Sequence, residues 1–230
     1  MQIHGFNKTT LLDYPGLLAS TVFTGGCNFR CPFCQNADLV LDPTSQPLID
    51  ENDIFDHINK RKGIIQGVCI TGGEPTLQKD LEDFVKRLKE HGVKVKLDTN
   101  GYRPQVTKKL MENGLLDYVA MDIKSSLDDY GIVAGVKIDP AIIKESVELL
   151  KNGPIEYEFR TTVVKELHNK ETFEKIGELL SGADKYFLQG YIDSERVIDR
   201  RFSSYTREEL EGFVSILGKT IKNVAIRGVD

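Results

Sequence analysis

Short runs of β-branched and apolar residues alternate along the chain with longer segments whose apolar residues recur at helical spacing, the order expected of parallel βαβ units. The pattern predicts strands over Ala19–Thr24, Gly67–Thr71, Val93–Asp98, Tyr118–Ile123, Tyr157–Val164 and Lys185–Gln189, with Val224–Arg227 as a candidate seventh. Between them it predicts helices over Glu51–Lys62, Asp80–His91, Pro104–Asn113, Ala141–Asn152, Lys170–Ser181 and Arg207–Leu217. Gly63, Gly92, Gly114, Gly153, Gly182 and Gly218 follow these segments, where a left-handed cap is wanted. Asp50, Asn169 with Thr172, and Thr206 with Glu209 mark helix starts. Six βα units take about 200 residues at roughly 30 each, fewer than the eight of a closed barrel. The expected fold is therefore α/β, a partial and open TIM-type barrel of about six βα units, in one domain over residues 1–230 with no linker dividing it. Ser125–Lys137, the least regular stretch, is expected to be a loop at the barrel mouth.

Composition narrows the class. Of the 230 residues, 40% are hydrophobic and 28% charged, which excludes disordered and collagen-like chains. The net charge of −5 points to neither nucleic acid nor an anionic membrane as a partner. Met1-Gln2-Ile3-His4-Gly5 carries no charged leader with an apolar stretch behind it, and no run reaches the roughly 18 apolar residues of a membrane span. A cytoplasmic location is expected.

Three of the four cysteines, Cys27, Cys31 and Cys34, are spaced C-x3-C-x2-C just after the first predicted strand. That crowding fits a metal or redox role in a reducing compartment better than a disulfide framework. Structural zinc is almost always held by four protein ligands, whereas three thiolates suit an iron–sulfur cubane with one iron left open. A zinc site completed by His4 or His57 is the competing reading. Cys69, inside an apolar strand, reads as a core thiol. The next strand ends are polar too: Gly72-Gly73-Glu74-Pro75, Asp98-Thr99-Asn100-Gly101 and Asp122-Ile123-Lys124. In this architecture ligands bind at the C-terminal ends of strands.

The cysteine loop, with Phe33 before its last cysteine and Gly-Gly-Glu-Pro after the second strand, resembles the radical S-adenosylmethionine (SAM) enzymes. The Asp98–Gly101 and Asp122–Lys124 segments are similar to those of activating enzymes of glycyl radical enzymes. The opening Leu11-Leu12-Asp13-Tyr14-Pro15-Gly16, Cys34-Gln35-Asn36 and Phe159–Val164 look closest to anaerobic ribonucleoside-triphosphate reductase activating proteins. The resemblance implies a [4Fe–4S] cluster on Cys27, Cys31 and Cys34, its fourth iron chelated by SAM. Electron transfer to the sulfonium would release methionine and a 5′-deoxyadenosyl radical. The main chain at Gly72, Gly73 and Glu74 would receive the SAM ammonium, and Phe33 would lie against the adenine. Asp98, with Thr99 beside it, and Asp122 would take ribose hydroxyls or a monovalent cation. Lys124 and Arg160 are the positive charges available to the SAM carboxylate, and Gln189 is a further candidate contact. Asp13–Gly16 reads as a turn.

Two departures matter. Activators of pyruvate formate-lyase carry a histidine near the end of the last barrel strand, where this chain has Phe187-Leu188-Gln189-Gly190, and no second cysteine cluster accompanies the first. The function implied is an activase that places a glycyl radical on a partner, anaerobic ribonucleoside-triphosphate reductase first, with flavodoxin or ferredoxin as external electron donor. The alternatives are an activator of pyruvate formate-lyase, a small-molecule enzyme resembling 7-carboxy-7-deazaguanine synthase, and a ferredoxin-like electron carrier.

Overall fold

A computed structural model describes residues 1–229. Strand β1 (Ile3–Thr10) runs antiparallel to β2 (Ala19–Thr24), and from β2 onward every neighbour is parallel and in sequence order: β3 (Gly67–Gly72), β4 (Lys94–Thr99), β5 (Tyr118–Asp122), β6 (Glu156–Val163), β7 (Lys185–Gly190) and β8 (Asn223–Arg227). Among the described residues β1 and β8 do not pair, so the sheet stays open. Helices α1 (Ala37–Leu41) and α2 (Glu51–Lys60) follow β2, α3 (Leu81–Glu90) follows β3, and α4 (Pro104–Glu112) follows β4. After β5 come α5 (Tyr130–Ala134) and α6 (Pro140–Lys151), after β6 α7 (Lys170–Leu179), and after β7 α8 (Arg207–Leu217). Six βα units and a last strand are thus present, as the hydrophobic pattern predicts.

The differences have local causes. In β1 only Ile3 and Thr10 are buried, so an edge strand without alternation gave no periodic signal. Ser125–Lys137 contains α5, a helix of 5 residues, too short to establish a helical repeat although Tyr130, Val133 and Ala134 are buried. Asp50 caps α2 through Asn52 N, and both expected capping boxes, Asn169/Thr172 and Thr206/Glu209, are formed. Gly153 and Gly218 do not adopt the left-handed conformation expected of them.

Strand alternation divides the barrel into two environments. One set of side chains, Val68 and Ile70, Val95 and Leu97, Val119 and Met121, joins the helices in the apolar core. The other set, with Cys69, Lys96, Asp98, Asp122 and Arg160, faces the barrel interior and becomes more polar toward the strand ends. The turn after β1 closes the opposite end: Tyr14 is buried against Ala19 and Tyr118, and Asp13 accepts a hydrogen bond from Thr21. Among the described residues no helix is long and apolar enough to cross a membrane.

Candidate functional site

A cavity of about 400 Å³ opens at the C-terminal ends of the strands. Every site residue expected from the sequence lines it: Cys27, Cys31, Cys34 and Phe33 from the loop after β2, Gly72, Gly73 and Glu74 after β3, Asp98 and Thr99 on β4, Asp122 and Lys124 at β5, Arg160 on β6 and Gln189 on β7. Asp13, Asn36 and Asn100 join them.

The cysteine loop is pinned by its surroundings. Arg30 N donates to Ala134 O of α5 at 2.8 Å, and the Arg30 guanidinium donates to the carbonyls of Cys27 and Phe29. The segment after β7 adds Asp199 N to Pro32 O at 2.8 Å and Ile198 N to Cys34 O at 3.3 Å. All four cysteines are free thiols. Burial pushes the Cys27 thiol up to about 12 and the Cys31 thiol up to about 11, with Lys124 pulling both down. As thiols they are neutral, and a metal centre that takes them as thiolates must displace their protons and supply the compensating charge. Among the described residues no three His, Cys, Asp or Glu side chains already stand in ion-ligating geometry. His4 Nδ1 faces the carbonyls of Gln46 and Pro47, and His57 Nε2 that of Lys8, so neither candidate for a fourth zinc ligand reaches the cavity. Cys69 is fully buried outside the lining, with Lys96 Nζ 3.7 Å from its sulfur.

The Gly-Gly-Glu segment is knitted to the cysteine loop through the main chain. Gly73 N donates to Thr24 O and Glu74 N to Gly26 O, both at 2.8 Å. A Cβ on Gly73 would lie 2.0 Å from the Gly26 oxygen, and one on Gly72, whose φ is +119°, would lie 2.3 Å from Thr24 N. Only glycine permits that approach. The Glu74 carboxylate is 1% exposed and fully occupied by protein donors. Its Oε1 accepts from Thr76 N, Thr76 Oγ1 and Thr99 Oγ1, and its Oε2 accepts from Asn100 N at 2.7 Å. The segment therefore offers the cavity its main chain, while the glutamate ties two strand tips together. Burial raises the Glu74 pKa, and these donors oppose the rise.

The charges at the next strand ends form one chain. Arg160 donates from Nη1 to Asp98 and from Nε to Asp122, both at 2.9 Å. Lys96, itself buried, binds the other oxygen of Asp98, and Lys124 Nζ lies 3.2 Å from Asp122. Burial alone would raise both carboxyls, but the cations outweigh it and hold Asp122 at about 2 and Asp98 below the usual carboxylate range. Asp98 and Asp122, for which a monovalent cation is one expectation, both bind the Arg160 guanidinium. Lys124 and Arg160, expected as charges for the SAM carboxylate, are thus already paired. Of the three cations only Lys124 and Arg160 line the cavity, together with the four carboxyl groups of Asp13, Glu74, Asp98 and Asp122.

A family model of the radical SAM superfamily matches residues 21–180. The chain belongs to that superfamily. A radical SAM protein is an enzyme that uses a [4Fe–4S] cluster and SAM, and the three free thiols with no fourth protein ligand suit such a cluster. A Methanocaldococcus jannaschii protein named for glycyl-radical enzyme activation is 32% identical over 99% of this chain and 96% of its own length. The pyruvate formate-lyase-activating enzyme of Clostridium pasteurianum is 33% identical over 58% of this chain and 57% of its own. Among solved structures, Streptococcus suis SuiB bound to S-adenosylmethionine shares the fold with a TM-score of 0.70 at 15% identity, covering 92% of this chain and 52% of SuiB. A domain of pyruvate-formate lyase-activating enzyme from Bacteroides vulgatus does so with a TM-score of 0.57 at 20% identity, covering 71% of this chain and 99% of that one.

Several residues of this radical SAM site escaped the sequence reading. Lys96 follows a strand alternation that marks it as inward, but nothing local pairs it with Asp98. His168, 1% exposed, accepts from Val164 N through Nδ1 and donates to Lys124 O through Nε2 at 2.8 Å, fixing the main chain at Lys124. Its neutral form is required by that pairing, and burial accordingly lowers its pKa. Asn28 and Asn100 meet across 72 residues of sequence.

Proposed function

We propose that this chain is a glycyl-radical enzyme activating enzyme whose partner is anaerobic ribonucleoside-triphosphate reductase. The observation that carries the activase reading is similarity along essentially the whole chain to a relative named for that activity. The partner rests on softer sequence segments, Leu11–Gly16 and Phe159–Val164. Cluster and SAM supply a 5′-deoxyadenosyl radical. Everything else falls to the chain's own residues: Cys27, Cys31 and Cys34 hold the cluster, the main chain at Gly72–Glu74 receives the SAM ammonium, and Lys124 and Arg160 are the cations that its carboxylate meets. Asp98, Asp122 and Thr99 meet polar groups of the nucleoside, with Phe33 and Gln189 on the cavity wall. The partner presents its glycine at the cavity mouth, an external flavodoxin or ferredoxin delivers the electron, and the cytoplasm keeps the thiols reduced.

The test begins with Cys27→Ala, Cys31→Ala, Cys34→Ala and Cys69→Ala, each reconstituted anaerobically with iron and sulfide. The first three should lose cluster iron and visible absorbance while Cys69→Ala keeps both; full loading of Cys31→Ala would contradict the assignment. The reduced wild type is then mixed with SAM and the reductase and examined by electron paramagnetic resonance. A glycine-centred doublet that needs every component supports the reading. A doublet only with pyruvate formate-lyase moves the partner, and consumption of a small metabolite in step with 5′-deoxyadenosine release, with no doublet, overturns the activase.

A further inference from the structure

Asn100 stands at the tip of β4, 5% exposed, with each polar atom directed. Its N–H is held by Glu74 Oε2 at 2.7 Å, and its Oδ1 accepts from Tyr102 N at 3.0 Å. The main-chain donor at Tyr102 fixes which end of the amide is oxygen, so the two hydrogens of Nδ2 must point the other way. There they have two acceptors: Asn28 Oδ1 at 2.8 Å and Cys27 Sγ at 3.9 Å. The Cys27 sulfur also accepts from Phe29 N at 3.3 Å. Among the described residues neither Cys31 nor Cys34 receives a hydrogen bond on sulfur from any side chain. One sulfur of the three is thus singled out, and one of its two donors is a side chain that lies outside the cysteine loop.

We propose that Asn100 is a positioning residue that sets how readily the cluster accepts its electron, through the Nδ2–H aimed at Cys27 Sγ. The inference rests on the cysteine assignment proposed above and on no choice of substrate. When a cysteine-ligated [4Fe–4S]2+ cluster takes one electron to become [4Fe–4S]+, negative charge on the ligating sulfurs grows. An N–H dipole pointing at one of them stabilises the reduced form more than the oxidised form, which raises the reduction potential. Glu74 is the other half of the device. By gripping Asn100 N and Thr99 Oγ1 with a buried carboxylate it holds the tip of β4 at a set distance from the cysteine loop, which its own N–H binds through Gly26 O. The side chain of the Gly-Gly-Glu segment and the asparagine after β4 then act on one sulfur.

The test uses the reconstituted full chain, without SAM, in anaerobic potentiometry with dithionite as the electron source and the signal of the reduced cluster as readout. Asn100→Ala removes the donor. Asn100→Asp keeps the shape and the Tyr102 bond, and Asn28 can turn its amide to meet the new oxygen, so only the sulfur loses its hydrogen. Both variants should load iron as the wild type does. Each should show a one-electron reduction constant lower by about tenfold, which is about 59 mV, and Asn100→Asp, with its added negative charge, should fall furthest. An unchanged constant in both variants at full iron content overturns the proposal. Failure of both variants to load iron overturns it too, since Asn100 would then be scaffold for the loop.

Discussion

Arg160→Met tests the charge chain on which the cavity floor is built. The guanidinium contacts Asp98 and Asp122 at 2.9 Å each, and its side chain is 12% exposed. At an effective dielectric of about 20, each pair is worth about 4 kcal/mol of gross attraction at about 4 Å between charge centres. Lys96 remains beside Asp98 and Lys124 beside Asp122, and the arginine's own desolvation disappears with it. The net loss on breaking this buried arrangement should be about 3–4 kcal/mol at pH 7. For a chain of this length that lowers the melting temperature by about 10 °C. The pH dependence gives a second handle. Asp98 and Asp122 titrate below their unfolded values, so the stability they contribute is present above about pH 4 and is lost as pH falls through the folded values, about 2 for Asp122. Without Arg160 their pKa values rise, and once protonated they need no cation. The gap between variant and wild type, measured by urea unfolding of the full chain followed by circular dichroism, should narrow below about pH 4. A loss at pH 7 under about 1 kcal/mol, or a gap that stays constant into acid, would refute the argument.

Two further changes probe the frame of the site. Gly73→Ala places a methyl 2.0 Å from the Gly26 carbonyl oxygen, which is main chain and cannot swing away. It should cost about 1–3 kcal/mol and shift the cysteine loop; wild-type melting and iron content together would refute the contact. His168 is neutral when folded because burial lowers its pKa, so the stability it contributes is present above its unfolded value near pH 6.5 and declines as pH falls below it. His168→Gln, which can still accept from Val164 N and donate to Lys124 O, should flatten the stability profile between pH 7 and 5, whereas an unchanged slope there would place the titration elsewhere.

Local periodicity was enough to determine the α/β class and the six repeating units. A buried parallel strand and an amphipathic helix write their faces into consecutive residues, whatever lies opposite. The cysteine spacing, the paired glycines and the polar strand tips were legible for the same reason. Chemistry packed into one loop, and a topology that sends the ends of all the parallel strands to one side of the barrel, needs no partner to be recognised. β1 stayed hidden because an edge strand with only its end residues buried has no alternation to read. The tertiary structure alone decided which side chains meet. Arg160 reaches Asp98 across 62 residues, His168 reaches Lys124 across 44, and Asn100 reaches Cys27 across 73. Each meeting depends on the register between neighbouring strands and on the closeness that Gly73 permits. A shift of one residue would turn Asp98 and Arg160 from the barrel interior to the helices, a difference the local pattern around either residue does not contain.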